Sequence, residues 1–177
     1  MTDRLTKANW IAHGLRTLTN EGVEALKVGP MSMALNVSRG SFYWHFHDIA
    51  DFRSQLLQSW KEQTTDQVIR QVEAASEPER LKHLLTRAFD GRLTIDRAIR
   101  SWAIKDETVA AVVVSVDARR IAYIANLLVS SGVEELRAQQ RATFLYWAWL
   151  GQAIVVDPGQ AALAKPTLDE ICDLFET

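Results

Sequence analysis

The sequence predicts an all-α protein with a three-helix N-terminal head and a longer helical body, about nine helices in all. Apolar residues recur at the three- and four-residue spacing of amphipathic helices through most of the 177 residues. No segment shows the sustained alternation of a half-buried strand. The apolar content of 47% is ample for a core. We place the head at residues 3–63 and the body at residues 64–177.

The first helix is predicted over residues 3–20 and ends before Gly22. Its buried face follows a helical rhythm. That face comprises Leu5, Ala8, Ile11, Ala12, Leu15 and Leu18.

The stretch from Pro30 to Phe46 predicts two short helices joined by a tight turn. The first covers Pro30–Leu35, and Asn36 ends it because Asn tolerates the left-handed conformation. Ser38 is expected to cap the second helix with its hydroxyl group. That helix, Arg39–Phe46, directs Phe42 and Phe46 inward and leaves its polar side chains free.

The next helix is predicted to run unbroken from Asp48, its N-cap, to about Ala75. Such a helix of ~27 residues spans ~40 Å. The body continues with five more helices, and capping boxes are predicted at Ser76 with Glu79 and at Thr167 with Glu170. The first of these helices ends near Asp90. The next three cover Ile95–Ala103, Glu107–Ser131 and Glu134–Val156, and a short last helix follows Thr167.

Composition and motifs argue against several other classes of protein. The start of the chain lacks a signal-peptide apolar segment, and no apolar run approaches ~18 residues, so we expect no membrane span. The single cysteine, Cys172, excludes an intramolecular disulfide and fits a cytoplasmic protein. His45 and His47 alone are too few ligands for a metal. No catalytic motif is present, so we expect no enzyme activity, metal or cofactor.

The string NVSRGSFYWHF, together with Met31–Leu35 and His47–Phe52, resembles the DNA-binding module of TetR-family transcriptional regulators. The similarity covers about residues 10–57. It implies a helix-turn-helix that binds double-stranded DNA in the major groove. Several features depart from the pattern: Gly29 and Pro30 are unusual at their positions, and Met31 and Ser32 stand where the family usually has Ile-Ala. Asn36 replaces the usual turn glycine, and Ile49 stands where a phosphate-binding lysine is usual.

A short helix with free polar and aromatic side chains suits a DNA groove. We expect Arg39 and Ser41 to read base edges and Gly40 to permit close approach. Tyr43 is implied to contact phosphate. The complete set of expected DNA contacts is Ser38, Arg39, Gly40, Ser41, Tyr43, Trp44, His45 and Lys7. Residues 1–60 carry a net charge of only +1, which predicts modest affinity for each head.

Arg120 interrupts the apolar stripe of the helix over Glu107–Ser131. A charge at such a position must be paired or face a wet cavity. It either pairs with Asp117 or another acid, or it lines a pocket for an anionic or polar effector. The candidate pocket residues are Trp102, Arg120, Tyr123, Phe144 and Trp147.

The resemblance implies a homodimeric repressor whose last two long helices pair as a four-helix bundle. Its two heads would bind a near-palindromic operator, and a small-molecule effector would release it. Two alternatives remain open. One is a dimer that has lost DNA binding or effector response, and the other is an all-helical ligand carrier or enzyme. The sequence identifies neither the effector nor the operator.

Overall fold

The computed structural model describes residues 5–90, 93–152 and 163–177. Within these ranges all regular structure is helical and no β-strand occurs, which confirms the all-α prediction. With α4, the π turn and α5 counted as one continuous helix, the described residues form nine α-helices, as expected. None of the described helices is long and apolar enough to cross a membrane.

The helices follow one another with short connections. They are α1 (Lys7–Glu21), α2 (Val28–Ala34), α3 (Arg39–Tyr43), α4 (Ile49–Lys61), a π-helical turn (Glu62–Asp66), α5 (Gln67–Glu73), α6 (Arg80–Asp90), α7 (Thr94–Ala103), α8 (Glu107–Ser130), α9 (Glu135–Gly151) and α10 (Lys165–Glu176), with short 3-10 turns at Val23–Ala25 and Glu77–Glu79.

The chain divides into two compact units. Unit 1 comprises the described residues of Met1–Gln63 together with Thr94–Val113, and unit 2 comprises those of Thr64–Leu93 and Val114–Thr177. Unit 1 therefore includes α7 and the start of α8 as well as the predicted head. The predicted division into domains 3–63 and 64–177 stays a prediction.

The buried face of α1 differs from the prediction. The buried residues are Trp10, Gly14, Thr17 and Leu18. Ala8 and Ala12, which the periodicity placed inside, are exposed. A methyl group added to Gly14 would lie 2.5 Å from Cζ of Phe52, so the helix turns its glycine toward α4 to allow close packing. Hydrophobic periodicity missed this face because it gives no weight to a glycine.

The predicted turn between α2 and α3 is confirmed. Asn36 has a φ of 54°, in the left-handed region. The helix before it begins at Val28, earlier than predicted, and Pro30 is tolerated at its third position because the first N–H groups of a helix lack intrahelical partners. Ser38 occupies the N-cap position of α3, but its side chain makes no capping hydrogen bond, so the predicted hydroxyl cap is wrong.

Helix α3 is shorter than predicted, ending at Tyr43 instead of Phe46. The chain still turns beyond it, because the Phe46 N–H donates to the Phe42 carbonyl oxygen at 3.1 Å. Both phenylalanines are buried as predicted.

The helix after Asp48 is not one uninterrupted α-helix. Asp48 caps α4 as predicted, accepting from the Asp51 N–H at 2.8 Å. Over Glu62–Asp66, however, the helix takes the wider π form before continuing as α5. The apolar spacing of the sequence contains no signal for this one-turn change.

Unit 2 has an aliphatic core assembled from α5, α6, α8, α9 and α10. Its buried members include Val72, Leu81, Leu85, Leu128, Leu145 and Cys172. α8 ends at Ser130, one residue earlier than predicted, and Gly132, the predicted stop, follows it with a φ of 98°.

The two predicted capping boxes do not form. The Ser76 side chain makes no capping hydrogen bond to the backbone. Thr167 lies inside α10, whose N-cap is Ala164. The actual cap in this unit is Glu134, which accepts from the N–H groups of Leu136 and Arg137 at the start of α9. The predicted C-terminal end of this helix, at Val156, lies outside the described residues.

Candidate nucleic-acid interface

The buried side of α3 rests on an aromatic cluster in unit 1. The ring of Phe42 lies 5.4 Å from that of Trp10, 5.0 Å from Phe46 and 5.4 Å from Phe52, measured between centroids. All four rings are at most 2% exposed. Phe42 packs edge-on against Trp10 and Phe52 and tilted against Phe46, and these contacts fix the orientation of α3 in addition to burying area.

The opposite side of α3 carries most of the predicted DNA contacts. Ser38, Arg39 and Gly40 are exposed, and Ser41 is half-buried. Tyr43 is 59% exposed and Trp44 75%. The Tyr43 ring packs edge-on against Phe42, with 5.4 Å between centroids, so its hydroxyl end is held outward from a fixed base.

Arg39 and Gly40 differ in what surrounds them. A methyl group added to Gly29 would lie 3.0 Å from Nη2 of Arg39, so the guanidinium lies against the backbone of α2. A methyl group added to Gly40 would meet only Oγ of Ser38, at 3.6 Å. The surface at Gly40 is therefore open to a close neighbour.

His45 and Lys7 lie together at the end of the helix-turn-helix. Nε2 of His45 lies 2.9 Å from the Leu5 carbonyl oxygen, which only an N–H on that nitrogen can satisfy. Nζ of Lys7 lies 5.7 Å from the centroid of Phe46, a cation–π contact. The structure thus brings these two predicted residues to the start of α1.

The start of α4 is acidic. The pKa of Asp48 is lowered chiefly by the hydrogen bond from the Asp51 N–H and then by that from His47. The pKa of Asp51 is lowered first by the side chain of Gln55 and then by the His47 N–H. Ile49, where the similar family carries lysine, is half-buried. Both carboxylates therefore stay ionised beside the candidate surface.

Met33 was not singled out from the sequence. It lies on α2 and is 76% exposed. Met31, two residues earlier, is buried. Residues two apart on a helix lie on different faces, and this spacing is the signal that predicts an outward Met33 side chain. An exposed methionine on the helix-turn-helix joins the candidate surface.

Arg120 is buried in unit 2, at 8% exposure. Its Nε donates to Oγ1 of Thr65 at 2.8 Å, and its Nη2 donates to Oγ1 of Thr64 at 2.7 Å. Its guanidinium lies 5.0 Å from the ring centroid of Trp149. Asp117, the partner suggested by the sequence, accepts a hydrogen bond from the Tyr146 hydroxyl at 2.6 Å.

The remaining predicted pocket residues do not share one environment. Trp102 belongs to unit 1 and donates from Nε1 to Asp106 at 3.2 Å. Phe144 and Trp147 are 60% and 65% exposed on α9. Among the described residues the buried hydroxyl of Tyr123 has no hydrogen-bond partner, and burial raises its pKa.

The described residues contain no group of three or more His, Cys, Asp or Glu side chains placed to hold a metal. Burial raises the pKa of the Cys172 thiol to about 11, with a smaller contribution from Glu176. At neutral pH the reactive thiolate is therefore scarce.

No protein-family model matches the sequence, and a comparison with curated proteins finds no match. Solved structures do match the fold. A transcriptional regulator of the TetR/AcrR family from Thermobifida fusca superposes with a TM-score of 0.64 at 13% identity, covering 97% of this chain and 96% of its own.

Two further structures match as well. The reduced form of NemR from E. coli has a TM-score of 0.71 at 15% identity, covering 84% of this chain and 85% of its own. A protein from Rhodococcus sp. assigned to the TetR family has a TM-score of 0.68 at 15% identity, covering 100% of both chains. This chain therefore has the fold of the TetR-family transcriptional regulators.

Proposed function

We propose that the protein is a TetR-type DNA-binding transcriptional regulator that acts as a homodimeric repressor. The observation that carries the proposal is the two-sided character of α3. Phe42 on one side is fully buried, while Arg39, Tyr43 and the adjoining Trp44 project outward. A short, rigidly seated helix with exposed polar and aromatic side chains is the element that enters a major groove in this class of fold.

The side chains divide by their chemistry. Arg39 and Ser41 lie early on α3, where hydrogen-bonding groups reach base edges, and the guanidinium matches guanine. The Tyr43 hydroxyl suits a phosphate oxygen, which sets the register of the complex without reading sequence. Trp44 offers an apolar face to a thymine methyl group or its N–H to the backbone. Ser38, His45 and Lys7 complete the proposed surface.

Electrostatics predict that one head binds weakly. Asp48 and Asp51 stand at the start of α4, and Ile49 replaces the usual lysine. Phosphate neutralisation supplies much of DNA affinity, so two heads on one dimer are needed to reach tight binding.

We assign the dimer contact to the outer face of α9 and α10. Leu136, Phe144 and Trp147 on α9 are 60–65% exposed, and Leu174 on α10 is 68% exposed. Phe144 stacks on Phe175, with 5.9 Å between ring centroids, so the two helices form one apolar surface. Large apolar surfaces of this kind mark protein interfaces. Phe144 and Trp147 thus belong to this dimer face in our proposal, and Arg120 and Tyr123 of unit 2 remain as candidates for the effector pocket.

Sedimentation of the purified protein tests the dimer. We expect the unmodified chain to sediment as a dimer and Trp147→Glu to sediment as a monomer, because burying a carboxylate without a partner is costly. Ile104→Glu is a matched control, since Ile104 is 84% exposed in unit 1. Dissociation by both substitutions, or by neither, contradicts the assigned face.

Release by an effector requires the ligand to bind the two states of the dimer with different affinity. The partnerless Tyr123 hydroxyl and the Arg120 guanidinium, which donates to Thr64 and Thr65, support unit 2 as the region where a polar or anionic effector binds.

Binding to the DNA upstream of the coding region, measured by gel shift against random duplex, tests the function. We expect a shift that survives competitor, corresponds to one dimer per site and weakens with salt. Tyr43→Ala should weaken specific and random binding alike, and Arg39→Ala should also relax base preference, each by about 1–3 kcal/mol. No shift at low salt would refute DNA binding and favour the ligand carrier.

A further inference from the structure

The start of α1 and the end of the helix-turn-helix are joined by two contacts between neighbouring residues. His45 reaches back 40 residues to the Leu5 carbonyl oxygen, at 2.9 Å. The ammonium group of Lys7 lies over the ring of Phe46, the next residue, with 5.7 Å between Nζ and the ring centroid. Nothing in the helical periodicity of either segment requires them to meet.

The hydrogen bond of His45 falls one residue before the cap of α1. Thr6 is that cap: its N–H donates to Oδ1 of Asn9 at 2.8 Å, and its Oγ1 accepts from the Asn9 N–H at 3.2 Å. Lys7 is the first residue of the helix. A restraint on Leu5 therefore also limits where the cap and Lys7 lie.

The half-buried imidazole is restrained from its own side as well. It packs against the ring of Phe46, with 6.2 Å between centroids, and Phe46 is itself 2% exposed. His47 provides a contrast within the same turn. Its side chain is 90% exposed and contacts the adjacent Asp48 at 3.0 Å.

We propose that His45 is a positioning residue, whose Nε2–H holds the Leu5 carbonyl and thereby keeps the start of α1, with Lys7, beside the end of α3. The inference rests on the proposed DNA binding and refines it. In this refinement Lys7 contacts phosphate, and His45, included above in the proposed surface, contributes through Lys7 instead of binding DNA itself. Without the bond, the first turn of α1 frays and the lysine loses its fixed place next to the recognition helix.

Amide hydrogen exchange in the free protein tests the restraint directly. The N–H groups of Asn9 and Trp10 both donate to the Thr6 carbonyl oxygen, at 3.1 and 3.3 Å, so their protection reports the first turn. We expect His45→Phe, which keeps a ring but removes the donor, to speed their exchange. His45→Gln, whose amide nitrogen can take the place of Nε2, should restore protection, and His47→Phe should leave it unchanged. Unchanged exchange in His45→Phe overturns the proposal.

A double-mutant cycle with Lys7→Met tests the consequence for DNA. Loss of one hydrogen bond predicts binding weaker by about three- to tenfold for His45→Phe. In the Lys7→Met background the same change should alter Kd by less than about twofold, because the lysine it positions is gone. Full additivity would overturn the proposal and make His45 a direct DNA contact.

Failure of the proposed function would look different. The unmodified protein would then bind no duplex at low salt, and the exchange experiment alone would decide whether His45 restrains α1.

Discussion

The phenylalanine cluster of unit 1 and the aromatic side chains on the outer face of α9 in unit 2 lie in opposite environments. In unit 1, Phe42, Phe46 and Phe52 lie within 5.4 Å of one another, centroid to centroid, and are at most 2% exposed. In unit 2, Phe144 and Trp147 are more than half exposed on the outer face of α9. Aromatic content alone therefore says nothing about core or interface, because the neighbours of each ring decide its role.

The polar residues show the reverse contrast. Unit 2 buries the Arg120 guanidinium among Thr64, Thr65 and Trp149, whereas Arg39 at the start of α3 in unit 1 is exposed. We infer that unit 1 holds an outer surface on a rigid aromatic cluster, and that unit 2 buries the Arg120 guanidinium beside an aliphatic core and exposes an apolar face. Substitutions in matched pairs test this difference.

Phe42→Ala should have the largest effect. The side chain is completely buried at the centre of the aromatic cluster, so its truncation is expected to lower the free energy of unfolding by about 3–5 kcal/mol. Phe144→Ala should cost less than about 1 kcal/mol. Urea unfolding followed by circular dichroism measures both, in a Trp147→Glu background that removes the proposed dimer contact. Equal losses would contradict the contrast between the units.

Gly14→Ala should have the next largest effect on the free energy of unfolding. The added methyl group would lie 2.5 Å from Phe52 and 3.0 Å from Leu56, both completely buried, and we expect a loss of about 1–3 kcal/mol. The control is Gly151→Ala in unit 2, where, among the described residues and apart from the adjoining helix backbone, no atom lies within 4 Å of the new carbon. That change should be neutral or stabilise by about 0.5–1 kcal/mol. A neutral Gly14→Ala would show that α1 and α4 are not closely packed.

Arg120→Met tests the buried guanidinium of unit 2. It removes the donors to Thr64 and Thr65, and we expect a loss of about 1–3 kcal/mol because a buried hydroxyl is left without its partner. Arg119→Met is the matched control. Arg119 contacts Asp66 at 2.8 Å, but its side chain is 53% exposed, so the expected loss is below about 1 kcal/mol. The ranking would be contradicted if Arg119→Met were the more destabilising change.

Acid should produce a smaller effect, shared by both units. Asp48 caps α4 and Glu134 caps α9, and backbone N–H donors lower the pKa of each below its ordinary value of 3.8 or 4.5. The stabilisation is therefore complete above these ordinary values and is lost as pH falls through the lowered pKa values.

Melting temperatures measured between neutral and acid pH follow this loss. Asp48→Asn keeps an oxygen that can cap the helix but does not titrate, so its melting temperature should fall less on acidification. An identical fall in the variant would remove Asp48 from the explanation.

Local features of the sequence sufficed for the turn and the class of fold. Asn36 adopts a positive φ because short polar side chains tolerate that conformation. Asp48 caps α4 because its side-chain oxygen accepts a hydrogen bond from the Asp51 N–H, three residues later. Phe42 and Phe46 are buried because their four-residue spacing places them on one face. Each of these depends on residues within a few positions of one another.

Contacts between distant residues required the tertiary structure. Arg120 meets Thr65 across 55 residues, and His45 meets Leu5 across 40. Because Phe52 packs closely against Gly14, α1 buries a face that the hydrophobic periodicity did not predict. Helical spacing alone predicts which residues share a face. It carries no information about which element covers that face, and this is why the partners of Arg120 and the outward position of Trp147 emerged only from the folded chain.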